Sequence, residues 1–285
     1  MNDMSDSLIP VRHRYTRVLS IAGSDSGGGA GIQADLKTAA ALGCFGMTAI
    51  TAITAQNTVG VQGIHAVPPE MLAQQIESVV TDIGVDAVKI GMLHDPAVVQ
   101  VVAEAVRRHR FAHVVLDPVM VANSGDRLIA DETVAVLVRE LFPLATVITP
   151  NLDEAAWLLG HPITSNDQLQ SAADGLRALG APAVLVKGGH LVGPVVADLL
   201  VTAERSWRWE DTRIATANTH GTGCTLSTAM ACHLALGLSL PEAVEAARRY
   251  VRQAMQSGAE LQLGHGHGPL DHGFGPQATV RRPLA

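Results

Sequence analysis

Residues 17–43 read RVLSIAGSDSGGGAGIQADLKTAAALG, and the fold class follows from how this stretch changes its period. Residues 17–23 form a short, nearly continuous apolar run, the pattern of a strand buried on both faces. Residues 30–43 are Ala-rich and helical in pattern, with Gly43 as a C-terminal stop. Between them, GSDSGGGAG at 23–31 has five glycines in nine residues, so backbone there can approach a ligand or another segment closely. Strand, glycine turn and helix open a βα unit. The same unit recurs outward along the chain. Strands are expected at 47–56, 85–91, 113–120, 145–150 and 182–189. Helices are expected from Pro68-Pro69 to Thr81, at 95–109 with Asp95 as N-cap, at 131–142, from about Leu152, and at 168–180. Two runs at 195–202 and 205–210 have no helix between them and read as an antiparallel hairpin at one edge. Helices follow at 224–237 and 241–258. This alternation implies right-handed crossovers and an α/β fold, a three-layer αβα sandwich with a mostly parallel central sheet. Residues 17–275 read as one domain, and 1–16 and 276–285 as tails.

Composition agrees with such a fold. Hydrophobic residues make up 47% of the 285 and charged residues 16%, too apolar for a disordered chain. The net charge of −7 argues against non-specific nucleic-acid binding, which needs a basic field. No apolar run reaches membrane-span or signal-peptide length, so a cytoplasmic protein with no membrane partner is expected. Three cysteines, at 44, 224 and 232, lack CxxC spacing and suggest free thiols in a reducing compartment.

In open α/β sheets, ligands sit beyond the carboxyl ends of the strands, and the unusual residues fall there. GAGIQA at 29–34 fits a dinucleotide fingerprint, but the acidic residue such a site needs at the end of strand two is missing, since no acid follows Asp35 until Glu70. A plain βα turn is the other reading. In NTHGTGCTLS at 218–227, Thr222-Gly223 leads into a helix, which reads either as an anion site made by its first N–H groups or as a glycine-rich cap over a small buried cysteine. Cys224 lies in that first turn, where thiols tend to ionise more easily. TPNLDEA at 149–155 places Asn151 and Glu154 three apart, which reads either as a helix cap or as an oxygen site for Mg²⁺. VLVKGGH at 184–190 ends a buried strand with Lys187. Further polar groups end strands at LDPVM (116–120), Gln56-Asn57 and KIGML (89–93). Together these describe phosphoryl transfer, which mainly requires positioning and charge neutralisation. No GxxxxGK[ST], HRD or DFG motif is present, so neither a P-loop protein nor a protein kinase is indicated.

AGSDSGGGAGIQADLKT, TAITAQNT, KIGML, LDPVMVANSGD, TPNLDEA, VLVKGGH, NTHGTGCTLS and GHGHGPLDH occur in this order between residues 18 and 272. In them the chain resembles the ribokinase-like superfamily and, within it, the bacterial hydroxymethylpyrimidine/phosphomethylpyrimidine kinases of thiamine biosynthesis. The resemblance implies ATP- and Mg²⁺-dependent phosphorylation of 4-amino-5-hydroxymethyl-2-methylpyrimidine and then of its monophosphate, by a homodimer. It implies that Gln56 hydrogen-bonds the aminopyrimidine and that Gly23, Asp35 and Met92 line the substrate pocket. Asp117, Asn151 and Lys187 would meet nucleotide and phosphate, and Glu154 the metal. Gly221, Thr222 and Gly223 would form the anion hole. Cys224 would stand where sugar kinases of the superfamily keep an aspartate base. Gly27 departs from the family, where serine is common. The loop 121–130 reads as a lid. His265, His267 and His272 offer a weak zinc pattern. A pyridoxal kinase is the nearest rival, with a nicotinamide oxidoreductase and a catalytically silent binding protein behind it.

Overall fold

The computed structural model describes residues 11–121 and 128–284. Its strands are β1 (His13–Tyr15), β2 (Arg17–Asp25), β3 (Phe45–Gln56), β4 (Val61–Ala66), β5 (Ala87–Ile90), β6 (Val114–Leu116), β7 (Val147–Ile148), β8 (Val184–Lys187), β9 (Val195–Val201), β10 (Ser206–Thr212) and β11 (Arg281–Pro283). Its α-helices are α1 (Gly31–Ala41), α2 (Pro69–Asp82), α3 (Pro96–His109), α4 (Asp131–Leu141), α5 (Leu152–Leu159), α6 (Leu169–Ala178), α7 (Thr222–Ala235) and α8 (Leu240–Gly258).

Among the described residues, β2 to β10 form one sheet in the order β10-β9-β8-β7-β6-β5-β2-β3-β4. The six strands from β8 to β3 in that order are parallel. β9 and β10 add the expected antiparallel hairpin at one edge. The side chains of β6 show how the layers are built. Val114 and Leu116 point into the core formed with α2 to α6. Val115 between them points into the core formed with α1, α7 and α8. Alternation along a strand thus serves two apolar layers at once, which is why these runs are short and almost wholly apolar.

Four parallel strands, β5 to β8, are shorter than the sequence suggests, whereas β2 and β3 run two residues longer. β6 stops at Leu116 rather than continuing to 120, because Pro118 has no N–H for a ladder. β7 likewise ends two residues before Pro150. β4 is missing from the sequence reading. Its run VQGIHA lacks alternation, and five of its six residues are exposed. A turn at Asn57 creates it: the Asn57 side chain accepts from the N–H groups of Val59 and Gly60, and β4 then pairs antiparallel with β3. The proposed tails also differ from expectation. His13–Tyr15 pairs with Arg281–Pro283, and Thr16 is buried. Arg14 pins this ribbon to Asp86 at 2.8 Å. Residues 122–127, most of the expected lid, lie outside the described residues.

α3 shows a local prediction met in detail. Asp95 accepts from the Ala97 N–H at 2.7 Å, Pro96 fills the first turn, and Arg107, Arg108 and His109 close the last turn. Both ends thereby complement the helix dipole.

Candidate active site

The carboxyl ends of β2, β3, β5, β6, β7 and β8 and the N-terminus of α7 enclose one cavity of about 710 Å³. Eleven of the twelve residues singled out in the sequence line it: Gly23, Gln56, Met92, Asp117, Asn151, Glu154, Lys187, Gly221, Thr222, Gly223 and Cys224. Sheet order sets their arrangement. Gln56, Gly23 and Met92 stand at the β3–β2–β5 end. Asp117 and Lys187 stand towards β8, under the α7 N-terminus. The cavity then continues to a lobe beside β9 and α8 with the apolar Val196, Ile214, Leu226, Val251 and Met255 in its wall and the charged Asp198, Arg213, Arg248 and Arg252 at the same end.

The glycine loop is organised by Asp25. Its carboxylate accepts from the N–H groups of Gly27, Gly29 and Ala30 at 2.8–3.0 Å and from His220 Nε2 at 2.9 Å. Burial works against its ionisation, but the His220 hydrogen bond and these N–H groups hold the carboxyl below its usual range. Since a carboxylate only accepts, the His220 proton sits on Nε2. Part of the glycine requirement is packing rather than ligand contact. Gly221 adopts φ +84°, and a Cβ there would fall 1.9 Å from the Gly29 carbonyl oxygen. The first loop and the α7 N-terminus are therefore locked together by residues that must lack side chains.

The charged centre begins at Asp117, just beyond β6. It accepts from Lys187 Nζ at 2.8 Å and from Thr149 Oγ1 at 2.9 Å. Burial would lower the Lys187 pKa, but Asp117 and Glu154 outweigh it and hold the ammonium above its usual range. The Asn151–Glu154 pair forms a full capping box: Glu154 N donates to Asn151 Oδ1 at 2.9 Å, and Asn151 N donates to Glu154 Oε2 at 2.8 Å. The cap reading is therefore correct, and Glu154 still lines the cavity while only 3% exposed. Burial pushes its carboxyl up to about 7. Lys187 opposes that rise and Asp117 adds to it.

Two sequence expectations change, those for Asp35 and Cys224. Asp35 does not line the cavity. It is 1% exposed and lies below the floor, paired through both oxygens with Lys89 Nζ at 3.0 and 2.8 Å. Its place on the inner face of α1 points it into the sheet rather than over it. Cys224 does not gain a low pKa at the helix N-terminus. Burial pushes it up to about 11, and the nearby Lys89 and the Gly31 N–H only moderate this. Among the described residues no three ligating side chains gather in a way that could hold a metal ion. His272 instead packs against Thr225 Oγ1 at 2.9 Å, and burial brings it down to about 4.

Lys89 and His220 lie in stretches that the sequence picks out, KIGML and NTHGTGCTLS, but were given no role of their own, although both line the cavity. A signal for Lys89 existed. It interrupts the buried strand VDAVKIG, where a lysine needs a partner in the core.

The protein-family description that matches the chain is phosphomethylpyrimidine kinase, over residues 25–271. A hydroxymethylpyrimidine/phosphomethylpyrimidine kinase from Rhizobium meliloti is 49% identical over 255 residues, covering 89% of this chain and 96% of its own. A thiamine biosynthesis bifunctional protein from Geobacter sulfurreducens is 48% identical over 255 residues, covering 90% of this chain and 52% of that longer protein. Among solved structures, a Bacillus subtilis pyridoxal kinase in an ADP complex superposes with a TM-score of 0.84 at 37% identity, covering 91% of this chain and 98% of that one.

Proposed function

Because this chain belongs to the phosphomethylpyrimidine kinase family, we infer that it is a kinase of thiamine biosynthesis that phosphorylates 4-amino-5-hydroxymethyl-2-methylpyrimidine and its monophosphate with ATP. The observation that carries the reading is a single cavity holding Gln56 at one end, the lobe beside β9 and α8 at the other, and Lys187 under the α7 N-terminus between them. The aminopyrimidine lies against Gln56, whose amide offers one acceptor and two donors to a ring nitrogen beside an exocyclic amine. Gly23 and Met92 flank the ring. The nucleotide base enters that lobe, and its phosphates reach the N–H groups of Gly221, Thr222 and Gly223.

The acceptor hydroxyl oxygen attacks the γ-phosphorus as the bond to the β-phosphate oxygen breaks and ADP leaves. Charge spreads over the transferring oxygens, and Lys187 and the α7 N–H groups are placed to stabilise it. The hydroxyl proton leaves late and passes to the Cys224 sulfur, which must then be a thiolate. Burial makes the thiolate a minor form at neutral pH, so turnover should rise with pH. Glu154 fits a role as ligand to Mg²⁺. It is a hard oxygen donor in the cavity wall whose ionisation is resisted by burial, and Mg²⁺ usually takes only one or two protein carboxylates besides phosphate oxygens. When bound, the ion neutralises phosphate charge.

A homodimer and a cytoplasmic location belong to the same proposal. The β3–β4 edge, which exposes Ile53, Val59 and Ile64, is a surface suited to a second copy. The testing experiment is ATP consumption with the pyrimidine alcohol, its monophosphate and pyridoxal in parallel. Consumption with both pyrimidines, well above that with pyridoxal, is expected. Preference for pyridoxal would replace the substrate assignment, and no consumption with any acceptor would remove the kinase reading.

A further inference from the structure

β5 is buried throughout, and its side chains alternate between the two cores. Ala87 faces α1 and α7, while Val88 and Ile90 face the opposite layer. Lys89 thus occupies a position that should be apolar, and it is fully buried. Its ammonium does not stay in mid-core. A Cβ on Gly91 would fall 2.9 Å from Lys89 Nζ, so the side chain runs up the strand towards the carboxyl end of the sheet, where it lines the cavity. Asp35 clamps it, and Asp35 is itself held by Ser20 Oγ at 2.5 Å and Thr228 Oγ1 at 2.7 Å. Thr228 lies one turn along α7 from Cys224, so the two share a helix face. Four elements of the fold, β2, α1, β5 and α7, therefore converge on one buried cation beneath the thiol. A buried ion pair adds little to stability over an apolar pair of the same volume, so this arrangement calls for another purpose.

We propose that Lys89, clamped by Asp35, is a positioning residue for phosphoryl transfer that acts through Cys224, its fixed ammonium stabilising negative charge on the sulfur. This rests on the reading of Cys224 as the group beside the acceptor hydroxyl. The charged groups facing the thiol are Lys89 from β5, Asp35 from α1, Asp117 beyond β6 and Lys187 at the end of β8, together with the Gly31 N–H. The attraction of Lys89 for the thiolate exceeds the repulsion from Asp35. Removing the cation alone, or the whole pair, therefore disfavours the thiolate. Removing only Asp35 favours it.

The test reads the thiol itself and needs no turnover, so it can fail separately from the kinase assignment. Iodoacetamide alkylation of Cys224 is followed at pH 8 by peptide mass spectrometry, with buried Cys44 and Cys232 as internal references. A neighbouring charge typically moves a pKa by roughly one unit or more. Thiolate nucleophilicity falls as pKa falls and offsets part of this, leaving a change of roughly three- to fourfold in rate. Lys89→Met should be slower by that factor and Asp35→Asn faster. These opposite signs are something a purely structural role, or a change in access, would not produce. If Lys89→Met does not fold, Lys89→Met/Asp35→Asn is neutral and close in volume, and it should also be slower than wild type. In parallel, kcat at pH 8 should fall in Lys89→Met with the KM for ATP unchanged. Alkylation rates that do not differ, or that move in the same direction in the two single variants, would overturn the proposal.

Discussion

Replacing Glu154 by Gln should make the ligand-free protein more stable while impairing it as a kinase. Glu154 is 3% exposed and its carboxyl is raised from 4.5 to about 7. A carboxyl raised on folding contributes stability that is complete below its unfolded value near 4.5 and is lost as pH rises through 7. At 1.36 kcal/mol per pH unit, ionising it in the fold costs about 3 kcal/mol at pH 8. Gln carries no charge, and its amide oxygen can still accept from the Asn151 N–H, so the capping box survives. Unfolding entropy near about 2.1 cal/mol/K per residue gives about 0.6 kcal/mol/K for this chain, so the gain is a Tm about 5 °C higher at pH 8. At pH 4.5 the two proteins should melt together. The assay is thermal unfolding in EDTA from pH 4.5 to 8.5, followed by the same scans with Mg²⁺ and ATP. Ligand should raise the Tm of wild type more than that of the variant, and the Mg²⁺ concentration for half-maximal rate should rise in Glu154→Gln. A variant less stable than wild type at pH 8 would refute the reasoning, because the carboxylate would then be stabilised where it stands.

Gln56→Leu should raise the pyrimidine KM by roughly tenfold or more, from about 1–3 kcal/mol for a buried hydrogen-bonded pair, and leave the ATP KM alone; an unchanged pyrimidine KM would remove Gln56 from the acceptor end. Lys187→Ala should lower kcat by on the order of a hundredfold through lost charge stabilisation. It should also lower the Tm, because Asp117 is 2% exposed and loses its 2.8 Å partner; a fully active variant would move phosphate stabilisation elsewhere. Cys224→Ala should lower kcat by about 10²–10⁴-fold and abolish the rise of kcat between pH 7 and 9 that the thiol, pushed up to about 11, imposes on the wild type. Near-normal kcat in that variant, measured by coupled ADP release, would leave Cys224 as a packing residue.

The sequence disclosed what is local and hid what is tertiary. The strand and helix order was legible because the parallel strands are mostly apolar on both faces and several helices carry their own stop or cap, as at Asp95 and Gly43. The end of β6 was legible in principle through Pro118 but was overrun, since the residues beyond it, Val119 and Met120, are apolar for cavity and core reasons rather than for pairing. β4 was illegible because its pairing is decided by the Asn57 turn and by β3, not by its own composition. The same division runs through the site. Glycines, Lys187 and the Asn151–Glu154 spacing advertise a strand end meeting a helix N-terminus. Asp35 was assigned from resemblance to the pocket wall, yet its helix face turns it to the sheet, where Lys89 waits 54 residues away in sequence. No short-range pattern links that pair, or Asp25 to His220 across 195 residues. Each partner alone looks like an ordinary polar residue. The pairing exists only because β5 lies beside β2, so that α1 and α7 close over both. Buried charges in this fold therefore report the crossover geometry. That is why the two residues most easily overlooked, Lys89 and His220, lie where the first and last thirds of the chain meet.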